Sequence, residues 1–205
     1  MANPPVGAPR HNHPVSNEPD FTLHAWIDES IHAAAGYIVA ATIAEPVACE
    51  GHRVAVRAAA PSPRRRMHWR EEEDKDRLRI AEALGQLDVA HTIVIATPID
   101  PRKPERARRK CLEQLFLELE GLGVTRAWLE TRTDALNRRD LFLVDALRGA
   151  GTLTGSLHVD FGDPNVEPML WIPDAIAGAF GAARRGNPVW RDALAVHIDV
   201  IQIDL

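Results

Sequence analysis

Cysteine is nearly missing: Cys49 and Cys111 are the only two in 205 residues. They form no CxxC pair and no Cys/His zinc spacing, which excludes a disulfide framework and a zinc knuckle and suits a reducing compartment. Long apolar runs are absent too. None approaches the roughly 20 residues that a helix needs to span a bilayer, so no membrane association is expected. The opening MANPPVGAPRHNHPVSNEPD has no apolar core of the kind a secretory signal carries. It holds five of the fifteen prolines and almost nothing to bury, so residues 1–20 read as a disordered leader and the address as cytoplasmic. Neither GxGxxG nor GxxxxGK[ST] occurs, which removes the usual nucleotide-binding signatures. No internal repeat is present.

What remains is an ordinary globular composition, 45% apolar and 26% charged, long enough for one domain over residues 21–205. A net charge of -5 argues against indiscriminate binding of nucleic acid, but the basic residues are clustered. PRKPERARRK (101–110) sets six basic residues against one acid, RRRMHWR (64–70) carries four more, and Arg138-Arg139 and Arg184-Arg185 form pairs. Such runs are usually solvated faces; the sharper reading is that several converge to hold phosphates.

The periodicities give an order of elements. FTLHAWIDES alternates as a strand, with Trp26 and Asp28 on one face and Ile27 and Glu29 on the other. GYIVAATIAEP is a continuous apolar run ended by Pro46, a buried second strand paired antiparallel with the first. Residues 47–60 carry only a weak helical pattern. A helix is expected over 71–87, with Leu78, Ala81 and Leu84 on its apolar stripe, then a strand over 89–99. The clearest helix spans 103–123, with Leu112, Leu115, Phe116 and Leu119 at helical spacing. Next come a strand over 125–132, a helix over 137–149 and a strand over 153–161. A small-residue helix follows from Pro173, in which Asp174, Gly178 and Ala182 share a face, and the tail over 193–205 is strand-like. The order predicts an α/β fold with a mixed sheet, antiparallel at its start and parallel afterwards, flanked by helices.

Two stretches, HAWIDESIH (24–32) and RAWLETRTD (126–134), place a tryptophan two residues before an acid, Asp28 and Glu130. If their strands are neighbours, both carboxylates reach one face at one level, and Asp174 on an overlying helix supplies a third. Three ionised carboxylates in one place raise each other's pKa, and a hard cation, Mg²⁺ or Mn²⁺, resolves the conflict. Each acid also has a plainer role: Asp28 capping a turn, Glu130 pairing with Arg132, Asp174 complementing its helix dipole. Glu29, expected on the opposite face, and Asp160 are candidates for supporting roles, as is Asp163, which also fits a turn. Glu71 is a weaker fourth acid. Arg132, His68, Arg102 and Lys103 are candidate phosphate contacts.

IDES, the apolar second strand, MHW before a helix, LETR and PDAIAGAF together resemble a ribonuclease-H-like family of small proteins, domain-of-unknown-function family 3800 (DUF3800). The resemblance spans roughly residues 22–183. It implies a ribonuclease-H-like fold in which the strands of Asp28 and Glu130 are neighbours, and it carries over Asp28, Glu130 and Asp174 as metal-binding acids. The chain departs from that family's pattern at Ile31 (glycine there), at Glu130 (aspartate is commoner) and at Pro173 (alanine). The expectation is a metal-dependent nuclease acting on RNA or DNA. The alternatives are a catalytically inactive module of the same fold that binds nucleic acid or protein, and a homodimer paired through the tail strand 193–205.

Overall fold

The computed structural model describes residues 22–62 and 65–205; the expected leader, residues 1–20, lies outside them. Six strands form one sheet: β1 (Leu23–His32), β2 (Gly36–Ala44), β3 (Ala90–Ala96), β4 (Val124–Glu130), β5 (His158–Gly162) and β6 (Ile198–Ile203), in the order β5-β4-β1-β2-β3-β6. The first three pair antiparallel as a meander. β4 and β5 add in parallel on one side and β6 in parallel on the other. This is the mixed sheet that the order of elements predicts. β2 lies at its centre and is buried along its whole length, which is why it reads as an unbroken apolar run.

Helices cover both faces. α1 (Cys49–Ala59), α2 (Asp74–Leu84), α5 (Trp171–Arg184) and α6 (Val189–Leu194) share a core with Trp26, Ile38 and Ala40. α3 (Pro104–Gly121) and α4 (Asp134–Gly149) share the opposite core with Ile27, Tyr37, Val39 and Ala41. The alternation along β1 decides which residue meets which layer. Gly36, which opens β2, has φ +99°, and a Cβ there would stand 2.6 Å from the Ala96 carbonyl oxygen. Only glycine lets the hairpin close against the end of β3.

Several boundaries differ from the sequence expectations. The weak pattern over 47–60 is a regular helix, α1. The 71–87 helix is preceded by a 3₁₀ turn, Trp69–Glu71, and begins only at Asp74. Its buried stripe is Ile80, Ala81 and Leu84, while Leu78 lies at the surface, 36% exposed. β5 starts at His158 because Leu153 and Leu157 reach the core from a loop. The tail divides into the end of α6 and β6, an edge strand. No helix among the described residues is long and apolar enough to cross a membrane.

Candidate active site

The parallel register of β1 and β4 pairs Trp26 with Trp128 and Ile27 with Leu129. The next step sets Asp28 level with Glu130, so the two matched motifs are strand neighbours in register. Because side chains alternate, Asp28 emerges on the face of Trp26, beneath α5. Asp28 is not at a turn: β1 continues to His32, and the hairpin turn follows.

α5 brings the third acid. Glu167 receives a two-pronged hydrogen bond from Arg53 (2.9 and 2.7 Å) and accepts from the Met169 N–H, fixing the 3₁₀ turn that feeds the helix. Helix geometry begins at Trp171, so Pro173 sits in the first turn, where its missing N–H leaves no bond unmade. Asp174 follows, buried, and faces the sheet side.

Asp28 is the least satisfied of the three. Its Oδ1 accepts the N–H of Glu29 at 2.8 Å, and among the described residues no cationic side chain pairs with it. Burial, then the carboxylates of Asp174, Glu130 and Glu29, push its pKa well above the usual range, against that one backbone hydrogen bond.

The other two acids are engaged by one short segment between α1 and α2. Nη2 of Arg66 donates to both oxygens of Glu130 at 2.9 and 2.7 Å. The Trp69 N–H donates to Oδ2 of Asp174 at 2.9 Å. His68 Nδ1 lies 3.3 Å from the same oxygen, at ion-pair distance but without hydrogen-bond alignment. The segment is anchored by the Trp69 indole, which fills the space that Gly178 leaves open on α5. There it meets Trp190 edge-on at 5.7 Å, with the Arg77 guanidinium over both rings. The small-residue face of α5 is the seat for this ring.

These partners shape the acid cluster. Among the described residues, no group of three or more His, Cys, Asp or Glu side chains stands arranged to hold a metal ion. The donor chemistry suits a hard cation, with three carboxylates converging and one of them destabilised by the others. As found, Glu130 is held by Arg66, and Asp174 by the Trp69 N–H with His68 beside it.

A cleft of about 320 Å³ opens beside Asp174, lined among others by His32, His68, Arg70, Gly178 and Arg185. Arg70 and Arg185 have no carboxylate partner among the described residues; burial, then Arg185 and Arg70, lower the pKa of His32. Arg66, Arg70, Arg185 and His32 are absent from the candidates that sequence reasoning singled out. The basic runs containing the three arginines were visible, but not which members face the acids.

The other candidates lie elsewhere. Glu29 borders the cleft, but its carboxylate emerges on the opposite face and pairs with buried Arg108, which also binds Asp140 at 3.0 Å. Arg132 is held by Glu105 at 2.7 Å and Asp140 at 3.0 Å and does not line the cleft. β4 ends at Glu130, the strand alternation stops there, and Arg132 turns toward α3 and α4. Arg102 pairs with Asp100 at 3.1 Å and Lys103 precedes α3; neither lines the cleft. Asp160 is level with Trp128 on β5 and lies 3.5 Å from Arg126. Asp163 accepts bonds from Asn165 in a turn, and Glu71 pairs with Arg65.

No family model matches the chain, and no curated protein matches it. Among solved structures, a chain of the complex of PCNA with RNase HII from Archaeoglobus fulgidus is similar, with a TM-score of 0.53 and 14% sequence identity. The likeness covers 84% of this chain and 87% of that one. At this identity the likeness bears on the fold alone: the chain has a ribonuclease-H-like fold.

Proposed function

We propose that the chain is a metal-dependent nuclease that hydrolyses phosphodiester bonds of nucleic acid, with Asp28, Glu130 and Asp174 holding Mg²⁺ or Mn²⁺. Membership of family 3800 is part of the same proposal. The observation that carries it is the in-register neighbourhood of Asp28 and Glu130 with Asp174 above them, where buried Asp28 pairs with no cationic side chain among the described residues. A divalent ion there would lower the pKa of water and neutralise charge on the leaving oxygen. The protein's part is placement. Asp28 is held rigidly by β1 between two paired strands, and Asp174 by the packed first turn of α5. Glu130, paired here with Arg66, would help hold the ion, and the Arg66 guanidinium beside it would be available to a phosphate oxygen. Arg70, Arg185 and His32 line the cleft where the neighbouring phosphates would lie.

A second reading rests on the absence of a ready-made ligand group among the described residues. In it the fold serves as an inactive module that binds nucleic acid or protein, or pairs with a second copy along edge strand β6. Calorimetric titration of Mn²⁺ into the wild type and into Asp28→Asn and Asp174→Asn separates the two. Saturable binding lost in both variants, with cleavage of a nucleic-acid panel lost in parallel, supports the nuclease. No binding in the wild type, with or without oligonucleotide, rejects it.

A further inference from the structure

On the sheet face opposite the acids, α3 and α4 lie side by side, and a cavity of about 510 Å³ opens between them. Its walls are mostly side chains of two kinds. Arg106 and Arg109 project from α3, three residues apart and so on one face; Arg139 and Phe142 project from α4 with the same spacing. Leu143 and Ala146 complete the apolar side. Phe142 is 69% exposed, an unusual position for a large aromatic ring.

The charge is as informative as the ring. Two acids line the cavity, and both are committed elsewhere: Glu105 to Arg132, Asp140 to Arg108 and Arg132. Arg106, Arg109 and Arg139 therefore have no carboxylate partner among the described residues. Most other surface arginines do, including Arg53, Arg65, Arg77, Arg79, Arg102 and Arg191. In a chain of net charge -5, three unpaired guanidinium groups around one apolar cavity call for an anionic ligand that also carries a flat apolar part.

We propose that this groove binds single-stranded nucleic acid, with phosphates on Arg106, Arg109 and Arg139 and a base stacked on Phe142. A positively charged groove with an aromatic platform is how sequence-tolerant single-strand binding is built. A duplex keeps its bases stacked inside and cannot offer one to a concave pocket. An amphipathic acidic peptide would need a row of apolar anchor sites along the groove, and Phe142 is the one large exposed aromatic in the lining. The site lies across the sheet from Asp28, so binding here requires neither a metal ion nor cleavage.

The test is fluorescence anisotropy of a labelled single strand of about ten nucleotides, within the usual length of such sites, titrated in EDTA. Phe142→Ala is expected to weaken binding about fivefold or more, while Phe142→Trp retains it. The Arg109→Ala, Arg139→Ala double variant is expected to flatten the salt dependence by roughly 0.7 log unit per log unit of salt for each phosphate that it no longer neutralises. All these side chains are exposed, so unchanged melting curves confirm that the fold is intact. Phe142, Arg109 and Arg139 lie across the sheet from Asp28, so binding lost in these variants is lost at the groove and not at the acid cluster. Wild-type affinity in both the Phe142→Ala and double-arginine variants overturns the proposal. So does displacement of the oligonucleotide by an acidic phenylalanine-containing peptide that binds more tightly and is lost in the same variants.

Discussion

Asp28 and Glu29 are consecutive residues of one strand, both largely shielded from water, and their surroundings are opposite. Glu29 points toward α3 and α4 and meets Arg108, the first link of a chain that runs through Asp140 to Arg132 and Glu105. Every carboxylate in that chain touches a guanidinium. Asp28 points toward α5 and meets two further carboxylates, with a single backbone N–H as its hydrogen-bond partner among the described residues. One cluster is complete, and its charges hold helices to the sheet. The other carries more negative charge than its partners offset, and a buried charge left in that state is retained at a cost. That difference separates a structural ion network from a site poised to take a cation.

The largest expected effect comes from breaking the complete cluster. Arg108→Ala leaves Glu29 and Asp140 buried with much of their compensating charge gone, and removing one partner of such a network costs about 3–5 kcal/mol. For a chain of this length that lowers Tm by roughly 10 °C in a thermal melt. A fall of only a degree or two would show that water reaches the network and that the contrast with Asp28 is overstated.

Next in size is the seat of the segment that carries Arg66, His68 and Trp69. A side chain at Gly178 would collide with the Trp69 indole, and overpacking of this kind costs about 1–3 kcal/mol. Gly178→Val is therefore expected to lower Tm by several degrees. It should also pull the Trp69 N–H away from Asp174, visible as a red shift in tryptophan emission as the ring gains access to water.

These two sites also show what the sequence revealed and what it hid. The register of Asp28 and Glu130 was legible because both motifs share the Trp-x-acid spacing and parallel strands preserve spacing. The burial of β2 and the apolar stripe of α3 were legible as periodicity. Arg108 lay on that stripe as well, four residues before Leu112, but inside a basic run it read as solvated. Extending the helical spacing backward through the run would have marked it as the inward-facing member. Arg66 carried no such signal, since its partner Glu130 is 64 residues away and the contact depends on how the segment after α1 folds back. Arg132 was misplaced because the strand was extended two residues past its end. Local pattern recovers the elements and faces; contacts made by long side chains across loops are settled only in three dimensions.

Removing the charge from the incomplete cluster should have the opposite sign to Arg108→Ala. Asp28→Asn keeps the shape and discards a carboxylate whose pKa the fold raises. Such a group opposes the fold once it ionises: the stability its protonated form contributes is fully present below the ordinary aspartate value and is lost as pH rises through the raised one. The variant is expected to gain about 1 kcal/mol near neutral pH, roughly 2–4 °C in Tm without metal, and to lose that advantage in acid. Mn²⁺ should raise the Tm of the wild type and not of the variant. A destabilised Asp28→Asn would mean that the carboxylate is already compensated, and the comparison with Glu29 would fail.

The smallest effect belongs to His68 and reads the same cluster from its rim. Contact with Asp174 raises the imidazole above its ordinary value of 6.5, against partial burial and the neighbouring Arg66. The fold therefore holds this proton more tightly than the unfolded chain does. The resulting stability is fully present below about pH 6.5 and fades as pH rises through the higher folded value. His68 is more than one-third exposed, so solvent screens the contact and the effect on Tm should be slight. The stability difference between the wild type and His68→Ala is expected to shrink from about pH 6 to about pH 8, and taking that difference removes most of the titration of Asp28, which both proteins share. With saturating Mn²⁺ Asp174 would serve the ion instead, and the pH dependence of the difference should vanish. If it persisted unchanged in Mn²⁺, Asp174 would still be bound to His68 and could not be a ligand.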